Sequence, residues 1–188
     1  MNKILSLLLL LAVGQHVQAQ FYKSVLPSQD FNEALTKIVT DFKYNFKNIA
    51  SGDKVSQGEY DTYASSVVLP GATDCIINEY RSVKDTTASW QGILYSGDDF
   101  AEAQKMYRNT YRLLSKSKIK LVDKTLISFN GRYEEPTDAV RFAVSTLRLN
   151  VDDPRYQRFA AELELVTSYN GFQVNVNFFN RKPDDERE

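Results

Sequence analysis

Two stretches of this chain, Asp30 to about Ile49 and Asp99 to about Leu114, repeat their apolar residues at helical spacing, and each such face must be buried on something. In the first, Phe31, Ala34, Leu35, Ile38, Phe42, Phe46 and Ile49 share one face. Asp30 and Glu33 stand at capping-box spacing, and Ser51-Gly52-Asp53 ends the pattern. In the second, Phe100, Ala103, Tyr107, Tyr111 and Leu114 make the apolar stripe. The opening Asp99-Phe100-Ala101-Glu102-Ala103 matches Asp30-Phe31-Asn32-Glu33-Ala34, and it places Phe42 and Tyr111 at corresponding positions as expected buried anchors. So short a match is compatible with an internal repeat and equally with chance.

The remaining segments are strand-like. Ser65 to Leu69 runs into the turn signal Pro70-Gly71, and Asp74 to Val83 and Ser89 to Tyr95 follow. After the second helix come Leu121 to Asn130, Ala139 to Leu149 and Phe159 to Tyr169, then the hairpin signal Asn170-Gly171 and Phe172 to Phe179. In the last of these, Val174, Val176 and Phe178 alternate with Asn175 and Asn177, so one face is buried and the other wet. The order α-β-β-β-α-β-β-β-β, with short connections, predicts an α+β fold. Two helices pack on one face of a curved antiparallel sheet, on its concave side.

The N-terminus reads as an export signal over residues 1–19. Lys3 is followed by the apolar run Ile4 to Val13, and Val17-Gln18-Ala19 carries small residues where cleavage requires them, so mature protein is expected to start at Gln20. The run is too short for a transmembrane anchor, which takes roughly 20 apolar residues. A single α+β domain is expected over 20–180, with a charged, disordered tail over 181–188. The expected location is periplasmic or secreted. Cys75 is the only cysteine, so no internal disulfide can form, and its apolar neighbours mark it as a buried small hydrophobe.

Chemistry is constrained mostly by subtraction. The only histidine, His16, lies within the signal, which removes histidine-based nucleophilic triads and histidine metal sites from the mature chain. With Lys3 gone, 22 basic residues stand against 24 acidic ones, which does not suit a nucleic-acid partner. Lys116, Lys118, Lys120 and Lys124 read as a solvated strand edge. No cofactor motif and no catalytic constellation is present. The carboxylates available for glycoside cleavage are Glu134-Glu135, Asp152-Asp153, and Glu162 with Glu164, the last two on one face of a strand. Their ordinary role is a solvated face paired with neighbours such as Arg141 or Arg148.

One feature stands outside the simple core. Met106 and Leu113 share a helix face away from the stripe of Phe100, Tyr107 and Tyr111, and Tyr44 is similarly off the first stripe. These three are the candidate interaction surface; alternatively, Met106 and Leu113 pack against the first helix or under the segment from Tyr60 to Ala64. The preferred function is an exported, non-enzymatic binding or adaptor domain for a protein, peptide or apolar ligand. The alternative is a carboxylate-based hydrolase acting on extracellular glycans. Ligand and oligomeric state are not encoded in any motif.

Overall fold

The computed structural model describes residues 26–81, 87–121, 123–169 and 171–181. The expected signal, its cleavage site and the tail beyond Arg181 lie outside the described residues. Helix α1 spans Gln29–Asp41, followed by strands β1 (Ala50–Gln57), β2 (Tyr60–Ser65), β3 (Asp74–Tyr80) and β4 (Ala88–Gly97). Helix α2 spans Phe100–Lys116, followed by the short strands β5 (Ile119–Lys120) and β6 (Leu126–Ile127). The chain closes with β7 (Phe129–Gly131), β8 (Ala143–Leu149), β9 (Phe159–Ser168) and β10 (Gly171–Asn180).

Eight strands form one antiparallel sheet in the order β1-β2-β3-β4-β10-β9-β8-β7, and β5 pairs with β6 alone. The mixed α+β class and the order of elements follow the expectation. β1, absent from the sequence reading, is an added edge strand. β2 lies just before the segment expected to be a strand, and 121–130 breaks at a turn before β6 and β7. The two halves of the chain meet where β4 pairs with β10, but this arrangement does not establish an internal repeat.

The helix starts are local chemistry. The Asp99 carboxylate accepts from the backbone N–H groups of Ala101 and Glu102 at 2.8 and 3.1 Å, capping α2 as its position implies. For α1 the cap is Ser28, whose hydroxyl accepts from Phe31 N at 3.2 Å, so Asp30 lies in the first turn instead. α1 also stops at Asp41, well before Ile49. A 3-10 turn over Phe42–Tyr44 follows, and Asn45 and Phe46 take left-handed φ values of 54° and 57°. The buried Asp41 carboxylate holds this reversal by accepting from the Asn48 backbone N–H at 3.1 Å and its side-chain Nδ2 at 2.6 Å. Phe46 and Ile49 are buried nonetheless, because the turn carries them back onto the same core. Leaving the helix therefore did not cost the apolar stripe its burial.

Both helices cover one sheet face. Trp90, Phe129, Phe159 and Phe178 are fully buried there, and their rings form a connected aromatic layer. Phe178 lies 5.4 Å from Trp90 and 5.8 Å from Phe159, whose ring is in turn 4.9 Å from Phe42 of the α1 turn. The indole N–H of Trp90 donates to Ser65 Oγ at 2.9 Å, which meets the polar requirement of a buried indole. On α2, the Tyr107 hydroxyl pairs with Ser145 at 2.6 Å and Tyr111 donates to the Gly131 carbonyl at 2.7 Å, tying the helix to β8 and β7. Burial pushes the Tyr107 hydroxyl well above the usual tyrosine range. Phe42 is buried as expected, whereas Tyr111 is only half-buried. Cys75 is a buried free thiol, and its burial raises its pKa.

Candidate functional site

The expected surface of Tyr44, Met106 and Leu113 does not exist as a surface. Met106 and Leu113 are 4% and 6% exposed and belong to the core. The reason is the rotation of α2 about its axis. Its buried residues Ala103, Met106, Tyr107, Thr110, Leu113 and Leu114 all fall within about 60° of Thr110, at 3.6 residues per turn. Phe100 and Tyr111 lie about 80–100° away, at the flank. Thr110 is polar in name, so the stripe centre was invisible to hydrophobic patterning, and the larger rings drew it aside. Tyr44 is 53% exposed but stands apart on the turn after α1, with Lys43 Nζ 4.9 Å from its ring centroid.

The feature that remains is the other side of the sheet. Strand alternation sends Thr62 of β2, Asn78 of β3, Ser89 and Gln91 of β4, Asn177 and Phe179 of β10, and Glu162 and Glu164 of β9 away from the helices. All are half-buried rather than fully exposed. An open groove of about 1250 Å³ crosses this face. Gln91, Asn177 and Glu162 lie in register on three adjacent strands, with Asn78 and Ser89 in register beside them. Tyr80 and Phe179 also line the groove, and Gly58, Glu59 and Arg81 form one end.

The groove side chains are partly ordered by one another. Gln91 Nε2 donates to Asn177 Oδ1 at 2.9 Å, and Asn177 Nδ2 donates to Glu164 Oε2 at 2.9 Å. Thr62 donates to Asn78 Oδ1 at 2.8 Å, and Thr146 to Glu162 Oε1 at 3.5 Å. Among the described residues, no protein partner takes the Asn78 Nδ2 donors, the Gln91 Oε1 acceptor or the Ser89 hydroxyl.

Charge at the groove end is largely internal. Arg81 Nη2 donates to the Gly58 carbonyl at 2.8 Å and lies 3.3 Å from Asp61, which Lys54 also approaches at 3.4 Å. A hydrogen bond from the Ser56 hydroxyl, with Arg81 and Lys54 beside it, outweighs the opposing effect of burial and holds Asp61 below the usual carboxylate range. A depressed folded pKa contributes stability that is present above the unfolded value, about 4, and is lost as pH falls through the folded value. Asp61→Asn is therefore expected to lower the denaturant midpoint at pH 7, with the gap to wild type narrowing at pH values below about 4. A gap that stays constant across that range would mean that the charge of Asp61 is not what holds the hairpin of β1 and β2.

The candidate carboxylates sit on the loop before β8, on the turn before β9 and on β9 itself. Glu162 lines the groove; Glu164 sits two residues along the same strand and is held by Asn177. Burial raises the Glu135 pKa, yet the hydrogen bond from Arg108, 2.6 Å away, helps to hold it below the usual carboxylate range. Hydrogen bonds from Arg155 lower that of Asp153. A general acid in glycoside cleavage needs the opposite shift. Arg141, considered as a partner for the glutamates, instead lies 5.7 and 5.9 Å from the ring centroids of Phe100 and Phe172.

Among the described residues, no group of three or more His, Cys, Asp or Glu could hold a metal ion, and no helix is long and apolar enough to cross a membrane. The groove went unseen in the sequence because its residues come from four strands. The only signal was Asn177 between Val176 and Phe178, which marks a polar face without marking a hollow; Asn175, expected beside it on that face, is buried. The chain matches no family model, no curated protein and no solved structure.

Proposed function

We propose that this chain is an exported, non-enzymatic binding domain whose ligand lies in the groove on the helix-free face of the sheet. The observation that carries the proposal is the groove itself, a hollow of about 1250 Å³ floored by mutually ordered amides. Ligand sites are concave, with a few polar groups held in place beforehand, and this groove meets that description. The same observation narrows the occupants expected from the sequence. An apolar molecule would leave amide groups buried without partners, at a cost of roughly 1–3 kcal/mol each. The space between sheet and helices is occupied by the aromatic layer of Trp90, Phe129, Phe159 and Phe178. A polar, extended ligand suits the groove better. Export is supported by Lys3, the run Ile4 to Val13 and Val17-Gln18-Ala19.

The test uses protein exported by its native host, whose N-terminal sequence is expected to begin at Gln20. That material is screened on peptide and glycan arrays beside a Gln91→Arg variant, which fills the groove with a longer side chain. The expected result is a reproducible set of ligands that the variant binds at least about tenfold more weakly, about 1.4 kcal/mol. No reproducible ligand on either array, or binding indifferent to the substitution, would remove the groove as the binding site.

A further inference from the structure

We infer that the ligand of the groove is a neutral oligosaccharide, an inference that rests on the groove being the binding site. The first reason is what the groove does not offer. It crosses β3, β4, β10 and β9, each of which is hydrogen-bonded to a neighbour on both sides. A peptide strand therefore finds no free backbone edge there, and edge pairing is how sheets usually capture peptides. Anions find little free positive charge, because Arg81, the only basic residue lining the groove among those described, is engaged by Gly58 and Asp61.

The second reason is what the groove does offer. Gln91 and Asn177 stand side by side at the strand spacing of about 4.8 Å, with Glu162 on the next strand. Asn78 and Ser89 continue the polar floor. Amides and hydroxyls both donate and accept, which matches a ligand whose hydroxyl groups do the same at short, repeated intervals. The Gln91–Asn177–Glu164 chain of hydrogen bonds fixes the amide orientations before any ligand arrives, which lowers the ordering cost of binding. Tyr80 and Phe179 add aromatic rings two strands apart, about 10 Å across the groove. Ring faces of this kind pack against the C–H faces of pyranose rings, leaving the hydroxyls to the amides. The hollow of about 1250 Å³ is also larger than one sugar unit fills, so it suits a short chain rather than a monosaccharide.

The experiment is titration of the full mature protein with short, neutral gluco-, manno- and xylo-oligosaccharides, followed by calorimetry and by amide chemical shifts. At least one series is expected to bind, with little change in affinity between low and high salt. Shifts should centre on Asn78, Gln91 and Asn177. Phe179→Ala and, separately, Tyr80→Ala should each weaken binding about tenfold or more. Tyr80 is 42% exposed, so its variant tests recognition without disturbing the core. Binding whose shifts fall outside the groove, or that both variants leave intact, overturns the inference. If the oligosaccharides do not bind but peptides do, with shifts at Gln91 and Asn177, the sugar assignment fails and the groove remains the binding site. If neither class shifts the groove residues, both readings fail together.

Discussion

Phe178→Ala is expected to destabilise the protein by about 3–5 kcal/mol, a large share of the 5–15 kcal/mol typical of a folded domain. Phe178 is fully buried on β10, the strand that joins the two halves of the sheet. Its ring touches the first half through Trp90 at 5.4 Å and the second through Phe159 at 5.8 Å and Phe129 at 6.4 Å. Deleting it removes the transfer free energy of the ring and leaves a cavity that a layer of large aromatics cannot close by small movements. Because the residue belongs to both halves, thermal unfolding should remain one transition, shifted down as a whole. Two separated transitions in the wild type, or a variant that melts in only one of them, would show that the halves fold as independent units. A loss below about 1 kcal/mol would mean that the aromatic layer does not pack as described.

Gly171→Ala is expected to be the second most damaging change, and the contrast with Gly58→Ala makes it informative. Both glycines have positive φ, +118° at Gly171 and +57° at Gly58. At Gly58 a methyl group would meet nothing within 4 Å, so the cost is the left-handed backbone alone, about 1–2 kcal/mol. At Gly171 the methyl would collide with the Gly97 carbonyl oxygen and come within 2.7 Å of Asp98 Cα. Those are backbone atoms at the junction of β4 and α2, and they cannot swing aside as a side chain can. The strain and the collision together should cost about 3 kcal/mol or more. Equilibrium denaturation of the two variants decides the point, and equal losses at both sites would refute the close approach of β10 to the β4 terminus.

The hairpin at Gly171 was legible in the sequence because Asn-Gly between two alternating runs is a local signal, and the structure used it locally. The same holds for the Asp99 cap, for the buried Val174, Val176 and Phe178 of β10 and for the burial of Cys75. β1 was not legible. Its eight residues carry six exposed positions, and at the sheet edge they need no apolar pattern to pair with β2. The early end of α1 was hidden for a related reason. Phe42, Phe46 and Ile49 kept helical spacing, yet Asp41 reaches Asn48 to close a turn that buries them just as well. Spacing reports which side chains seek the core, and more than one backbone path can deliver them there.

The groove shows the division most plainly. The sequence by itself determined the α+β class, the order of the elements, the absence of an internal disulfide and the buried Val174, Val176 and Phe178 of β10, because each depends on neighbouring residues or on bare composition. Asn175, expected on a wet face, is buried instead. Only the tertiary structure decided the rotation of α2, which buried Met106 and Leu113, and the pairing of β4 with β10. That pairing sets Gln91 beside Asn177, residues 86 positions apart in the chain. Such a contact is chosen by how whole strands exclude water from the aromatic layer beneath them, and no local pattern records it.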